Sequence, residues 1–185
     1  IGRADVVVLV IDAMHGTSQL DMRIAREVVD RYKPCVIAVN KWDLAKDKTT
    51  TEEYEKYLTR NLPSLAYAPV LFMTAQKGKN VTRCISLVQS MAKQANKRVS
   101  TGVLNRAVDE IRNGPRPRVK HGREPKISYA TQVAVMPPTI ALFVNQPSYF
   151  TPQLKRMIEN RFRDMLEVPE VPVKILYREK GKKDE

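Results

Sequence analysis

The run Val36-Ile37-Ala38-Val39 stops without transition at Asn40-Lys41-Trp42-Asp43, and this junction constrains the fold more than any other stretch. So short an apolar run is too brief for a helix and offers no face to water, so it reads as a strand covered on both sides. Such strands belong to parallel sheets sandwiched between helices. Open sheets of this kind bind ligands at the carboxyl ends of their strands, and that is where Asn40, Lys41 and Asp43 are delivered.

The neighbouring sequence supplies the rest of the sheet. Asp5 to Asp12 reads as a buried strand. Ser18 with Asp21 resembles a capping box opening a helix that runs to about Tyr32, with Ile24, Ala25, Val28 and Val29 on one face. Lys33-Pro34 ends it. A helix from about Thr51 to Asn61 follows the Asn40 strand, and Pro69-Val70-Leu71-Phe72-Met73 is another short apolar strand, ending in Thr74-Ala75-Gln76-Lys77-Gly78. Val81, Ile85, Val88, Met91 and Ala92 lie at helical spacing in the stretch to Arg98. Three strand-helix units in succession predict a parallel sheet with right-handed crossovers.

Beyond Val99-Ser100-Thr101-Gly102 the pattern changes. A helix is predicted over Thr101 to Asn113, then a segment from Gly114 to Lys126 too rich in Pro, Gly and charge for regular structure. Strands at Ile127 to Val135 and Thr139 to Val144, joined by Met136-Pro137-Pro138, predict an antiparallel hairpin. Thr151 as cap and Pro152 at the first helical position open a further helix, with Leu154, Met157, Ile158, Phe162 and Met165 inward. Pro172 to Arg178 reads as a closing strand, and the charged tail from Glu179 as disordered.

Over 185 residues, 32 basic side chains face 20 acidic ones, a net charge of +12 and a pI of about 9.8, which suits a polyanionic partner such as RNA. The candidate RNA or ribosome contacts are Arg112, Arg116, Arg118, Lys120, Arg123 and Lys126, with Lys155 and Arg156 on the later helix. Cys35 and Cys84 are isolated thiols with no zinc spacing, as expected of a reducing cytosol. No apolar run approaches a membrane span and no signal-peptide pattern is present, so the sequence predicts a soluble, cytoplasmic chain with no membrane partner.

The tetrad carries specific chemistry. A carboxylate at Asp43 can accept at once from the N1 hydrogen and the exocyclic amino group of guanine, while adenine offers no such pair on that edge. The aliphatic stem of Lys41 can lie over a flat base, and the Asn40 amide can brace neighbouring loops. Asn-Lys-x-Asp resembles the guanine-reading motif of GTPases. Thr74-Ala75-Gln76, at the end of the next strand, resembles their second base-binding loop, usually Ser-Ala-x, in which the alanine N–H points at guanine O6.

With these residues, Asp12-Ala13, Gln19 with Asp21, Leu44, Leu104-Asn105-Arg106, Phe143-Val144-Asn145, Lys155-Arg156, Asn160 and Phe162-Arg163 make the chain, from Ile1 to about Lys180, similar to the carboxyl-terminal part of the Der (EngA) GTPases. That family has two tandem GTPase domains and a terminal KH-like domain, and is implicated in bacterial large-subunit ribosome assembly. The resemblance implies an α/β fold: residues 1–99 as the later part of a P-loop, Ras-like GTPase domain with its parallel sheet, and residues 100–185 as an α+β KH-like domain. It implies GTP or GDP as the nucleotide and, as partners, the large ribosomal subunit or rRNA and upstream GTPase domains of the same protein. It also implies that the chain, which starts at Ile1, is the remainder of a longer protein.

Two departures bear on mechanism. The sequence contains no GxxxxGK[ST] loop, no switch threonine and no DxxG segment, so it predicts base recognition without a phosphate cradle or magnesium ligands. Hydrolysis is therefore assigned to the parent protein, with no catalytic residue here. The strand-to-helix connection Asn145 to Gln153 has no glycine, whereas an RNA-gripping KH domain carries a GxxG loop. The related Era family, with one GTPase domain before its KH domain, is expected to show that loop. The alternative reading is a non-catalytic RNA- or ribosome-binding module in which the GTPase remnant is scaffold.

Overall fold

The structure, a computed structural model, describes residues 1–114 and 124–181. It divides into two compact units, one of Ile1–Ala95 with Glu170–Pro172, the other of Asn96–Pro169 with the chain from Val173 onward.

The first unit is built on the predicted parallel sheet. Strands β1 (Val7–Asp12), β2 (Cys35–Asn40) and β3 (Val70–Phe72) lie in that order, all parallel, with β2 in the middle. Helices α1 (Gln19–Asp30) and α3 (Thr51–Asn61) cover one face, and α4 (Val81–Ala95) the other. The period of two along β2 sorts its side chains: Ile37 and Val39 join Leu9, Ile11, Val28 and Leu58 in one core, while Val36 joins Leu71, Cys84 and Met91 in the second. Every residue of β2 before Asn40 is buried, which is the double coverage the sequence demanded.

β1 departs from its reading as a buried strand. Leu9 and Ile11 are buried on the α1 side, but Val8 and Val10 on the other face are 38% and 55% exposed. Apolar content alone could not reveal this, because it does not tell an edge strand, with α4 packed over its neighbours, from a central one.

Helix starts follow local chemistry. Ser18 and Asp21 form the predicted capping box, with Asp21 N–H on the serine oxygen and the Asp21 carboxylate on Ser18 N–H. Thr50 and Glu53 form a second one at α3. Each satisfies two N–H groups that a helix start otherwise leaves open. A four-residue helix, α2 (Trp42–Ala45), begins within the tetrad.

In the second unit, α5 (Thr101–Asn113) and α6 (Pro152–Met165) pack on a mixed sheet of β4 (Ile127–Ala134), β5 (Thr139–Val144) and β6 (Lys174–Glu179). β4 and β5 form the predicted antiparallel hairpin, and β6 pairs parallel to β5. Leu104, Ala107, Val108 and Ile111 of α5 and Leu154, Ile158 and Phe162 of α6 are buried, as are Ala130, Ile140, Leu142 and Val144 of the sheet. Thr151 caps α6 through Leu154 N–H, with Pro152 at its first turn. The strand predicted to close at Arg178 runs one residue further, to Glu179, and residues 182–185 of the expected tail lie outside the described residues.

Side-chain clamps hold the backbone of β4 and the segment before it. Asn105 Oδ1 accepts Ala130 N–H at 3.0 Å, beside a register shift in β4. Asn145 Oδ1 accepts Lys126 N–H at 2.9 Å, and its amide donates to the Glu124 carbonyl. Arg112 donates to the carbonyls of Ile127 and Ser128 and pairs with Asp109.

Candidate nucleotide-base site

The tetrad is presented as the sequence predicts, at the carboxyl end of β2. Asn40 closes the strand opposite Asp12. Lys41 follows in the left-handed region, φ 61°, which turns the chain sharply into α2. A non-glycine residue rarely adopts this conformation, and here it separates three side chains into three directions. The Trp42 ring turns into the core, 4.3 Å from Phe72 and 5.6 Å from Tyr54. Lys41 and Asp43 stay at the surface side, with 51% and 23% of their side chains exposed.

Each polar member has a defined partner. Asn40 Oδ1 accepts Ala75 N–H at 3.0 Å, so the amide braces the turn at Ala75–Lys77, as expected of a loop brace. The expectation that Ala75 N–H points at a base oxygen differs from this arrangement, because that N–H already donates to Asn40. Thr74, only 4% exposed, donates its hydroxyl to Asp43 Oδ1 at 3.3 Å. The Lys77 ammonium stands 2.8 Å from Asp43 Oδ2, and it is the main reason the Asp43 carboxyl is held below the ordinary carboxylate range. Gln76, the remaining residue assigned to the loop, lies exposed on the same turn. Asp43, Thr74 and Lys77 face an open groove whose walls include Lys46, Lys79 and Arg83.

Sequence reasoning missed Asp12 as a functional partner. Its carboxylate receives the Lys41 ammonium at 2.7 Å, His15 Nδ1 at 3.2 Å and Met14 N–H at 2.9 Å. The loop behind it is pinned by Tyr57, whose hydroxyl lies 2.8 Å from Thr17 N. A side chain at Gly16, φ +70°, would meet that hydroxyl. In the sequence Asp12 stood out as the end of a strand and as part of the family resemblance, without a stated role.

Lys41, then Met14 N–H, lower the Asp12 pKa from its usual 3.8 to about 2. A lowered folded-state pKa means the pair contributes its full stabilisation above about pH 4 and loses it as pH falls towards 2. A carbon-detected NMR titration of Asp12 should show its midpoint near 2; a midpoint near 4 would mean that Lys41 does not hold it.

The candidate RNA contacts fall into three groups. Arg116, Arg118, Lys120 and Arg123 lie outside the described residues. Arg112 is turned inward onto the β4 carbonyls, and Lys155 sits 4.9 Å over the Tyr177 ring. Lys126 and Arg156 are exposed. Among the described residues no group of three or more His, Cys, Asp or Glu is placed to hold a metal ion, and no helix is long and apolar enough to cross a membrane.

Residues 1–94 match the family model described as the elongation factor Tu GTP binding domain. Residues 98–178 match the KH-domain-like region of EngA bacterial GTPase enzymes, C-terminal. Fold and matches together define the class: a GTPase-type parallel sheet followed by a KH-like unit. Proteins curated as GTPase Der are similar over essentially all of this chain: 39% identical in Acaryochloris marina over 100% of it, 40% in a Nostoc species over 100% and 37% in Rhodopirellula baltica over 98%. The chain belongs to the Der (EngA) GTPase family. It spans 40–41% of the length of those relatives. Among solved structures, Aquifex aeolicus Era bound to GDP and AlF4− is similar over 95% of this chain and 65% of its own, with 19% identity and a TM-score of 0.39.

Proposed function

We propose that this chain reads the base of a guanine nucleotide as the later part (residues 1–99) of a GTPase domain, and carries, in residues 100–185, a KH-like domain that contacts rRNA of the large ribosomal subunit in the cytoplasm. Asn40, Lys41, Asp43, Thr74, Ala75 and Gln76 form the base-reading set. The observation that supports this reading is the Asp43 carboxylate, in the first turn after β2, with a buried threonine hydroxyl on one oxygen. GTP or GDP is the nucleotide. The sequence encodes no phosphate loop, and among the described residues no group of three or more His, Cys, Asp or Glu is placed to hold Mg2+. Hydrolysis accordingly belongs to the whole protein, and no catalytic step is assigned to these residues.

Competition binding to the intact protein tests the reading: guanine nucleotides should displace a labelled GDP, adenine nucleotides should not. Equal displacement by both would favour the second reading, a scaffold remnant in an RNA-binding module. The observation on that side is that Asn40, Lys41 and Asp43 are already bonded to partners within the chain.

For rRNA, the contacting set is proposed as Arg116, Arg118, Lys120, Arg123, Lys126 and Arg156. Arg112 and Lys155, although assigned to it from sequence, already serve the fold. Each neutralised phosphate contact releases counterions, so Arg116→Gln with Arg118→Gln should flatten the salt dependence of RNA affinity by roughly two units of log–log slope. An unaltered slope would make the segment a solvated linker.

A further inference from the structure

The base-reading carboxylate is engaged on both oxygens from within the chain, and the two engagements differ in kind. Thr74 is nearly buried and has one short side chain, so its hydroxyl on Asp43 Oδ1 is fixed in place. Lys77 reaches Oδ2 with a flexible four-carbon stem, and its side chain is 68% exposed. It stands on the same turn whose Ala75 N–H is held by Asn40, with Gly78 closing that turn in the left-handed region.

A guanine edge needs both carboxylate oxygens at once, because its N1–H and amino donors are parallel and fixed in one plane. We propose that Lys77 is an internal competitor for that edge: its ammonium holds the Asp43 oxygen that a guanine must engage, and base binding displaces it into solvent. The proposal rests on the base-reading role of Asp43 put forward above. Thr74 can remain on its oxygen throughout, since a carboxylate oxygen accepts more than one hydrogen bond; a cation on the same oxygen both blocks approach and draws off its charge. An ion pair this exposed is weak, so Lys77 tunes affinity and does not close the site. The device makes release of the base easier, because a ready donor takes its place.

The sign of the effect separates this role from ordinary electrostatics. Removing a cation near an anionic nucleotide weakens binding in general, whereas removing a competitor strengthens it. In the intact protein, Lys77→Met should raise GDP affinity about fivefold by equilibrium titration. In an Asp43→Asn background, titrated with xanthosine diphosphate, the same change should give no gain. An affinity that falls or stays level in Lys77→Met, or a gain of equal size in the Asp43→Asn background, overturns the competitor role. If Asp43→Asn switches the base preference while Lys77→Met gains nothing, base reading stands and Lys77 alone is reassigned. If Asp43→Asn leaves the preference for guanine intact, base reading itself fails and the competitor role with it.

Discussion

Asp43→Asn is expected to turn a guanine-preferring protein into one that prefers xanthine nucleotides. The carboxylate offers two acceptors to the two donors of guanine. An amide in the same place offers one acceptor and one donor, which suits the N1–H and the C2 carbonyl of xanthine. A buried or half-buried polar group left facing its like is the strongest basis of discrimination a site has, so the ratio of affinities should shift on the order of a hundredfold or more. Thr74 can keep its bond to the retained oxygen, and an amide oxygen can still accept a backbone N–H at the first turn of α2, so the fold should survive the change. Competition between GDP and xanthosine diphosphate measures it in the intact protein, and an unchanged ratio would remove Asp43 from the reading set.

The second large effect concerns stability. Phe162 is fully buried in the second unit, on the α6 face shared with Leu154 and Ile158 and set against the sheet. Phe162→Ala removes most of a ring from a close-packed interior, and changes of this kind cost about 3–5 kcal/mol. That is a large share of the margin of a small domain, about 5–15 kcal/mol in all. Denaturant unfolding followed by far-UV circular dichroism should show the loss, and a cost below about 1 kcal/mol would mean that the α6 face is loosely packed. Exposed Arg156 on the same helix can be changed to Ala as the control, with an effect within about 0.5 kcal/mol.

What could be read beforehand and what could not divides along a physical line. Features written in consecutive residues were legible: the buried run of β2, the Ser18–Asp21 box, the Thr151-Pro152 start and the hairpin around Met136-Pro137-Pro138. Features made by two distant segments were not. Asp12 meets Lys41 only because β1 lies in register beside β2, and Lys77 meets Asp43 only because β3 lies on the other side. Val8 and Val10 look the same in sequence whether a helix covers them or not. Asn105 and Asn145 are instructive in another way. Both carried the family resemblance without any stated role, and both prove to be clamps on the backbone of β4 and the segment before it. The Arg112 side chain, read as part of a basic patch, serves the same end, because charge in a sequence says nothing about which way a guanidinium points.

The central place of β2 also sets a clock. Its amides lie between two strands and under helices on both faces, so they can exchange with solvent deuterium only when the first unit opens as a whole. One peptide bond later, at Lys41, the chain leaves the sheet in a left-handed turn towards the surface. Exchange protection should therefore drop along the chain from Asn40 to Lys41, just where the polar tetrad leaves the strand.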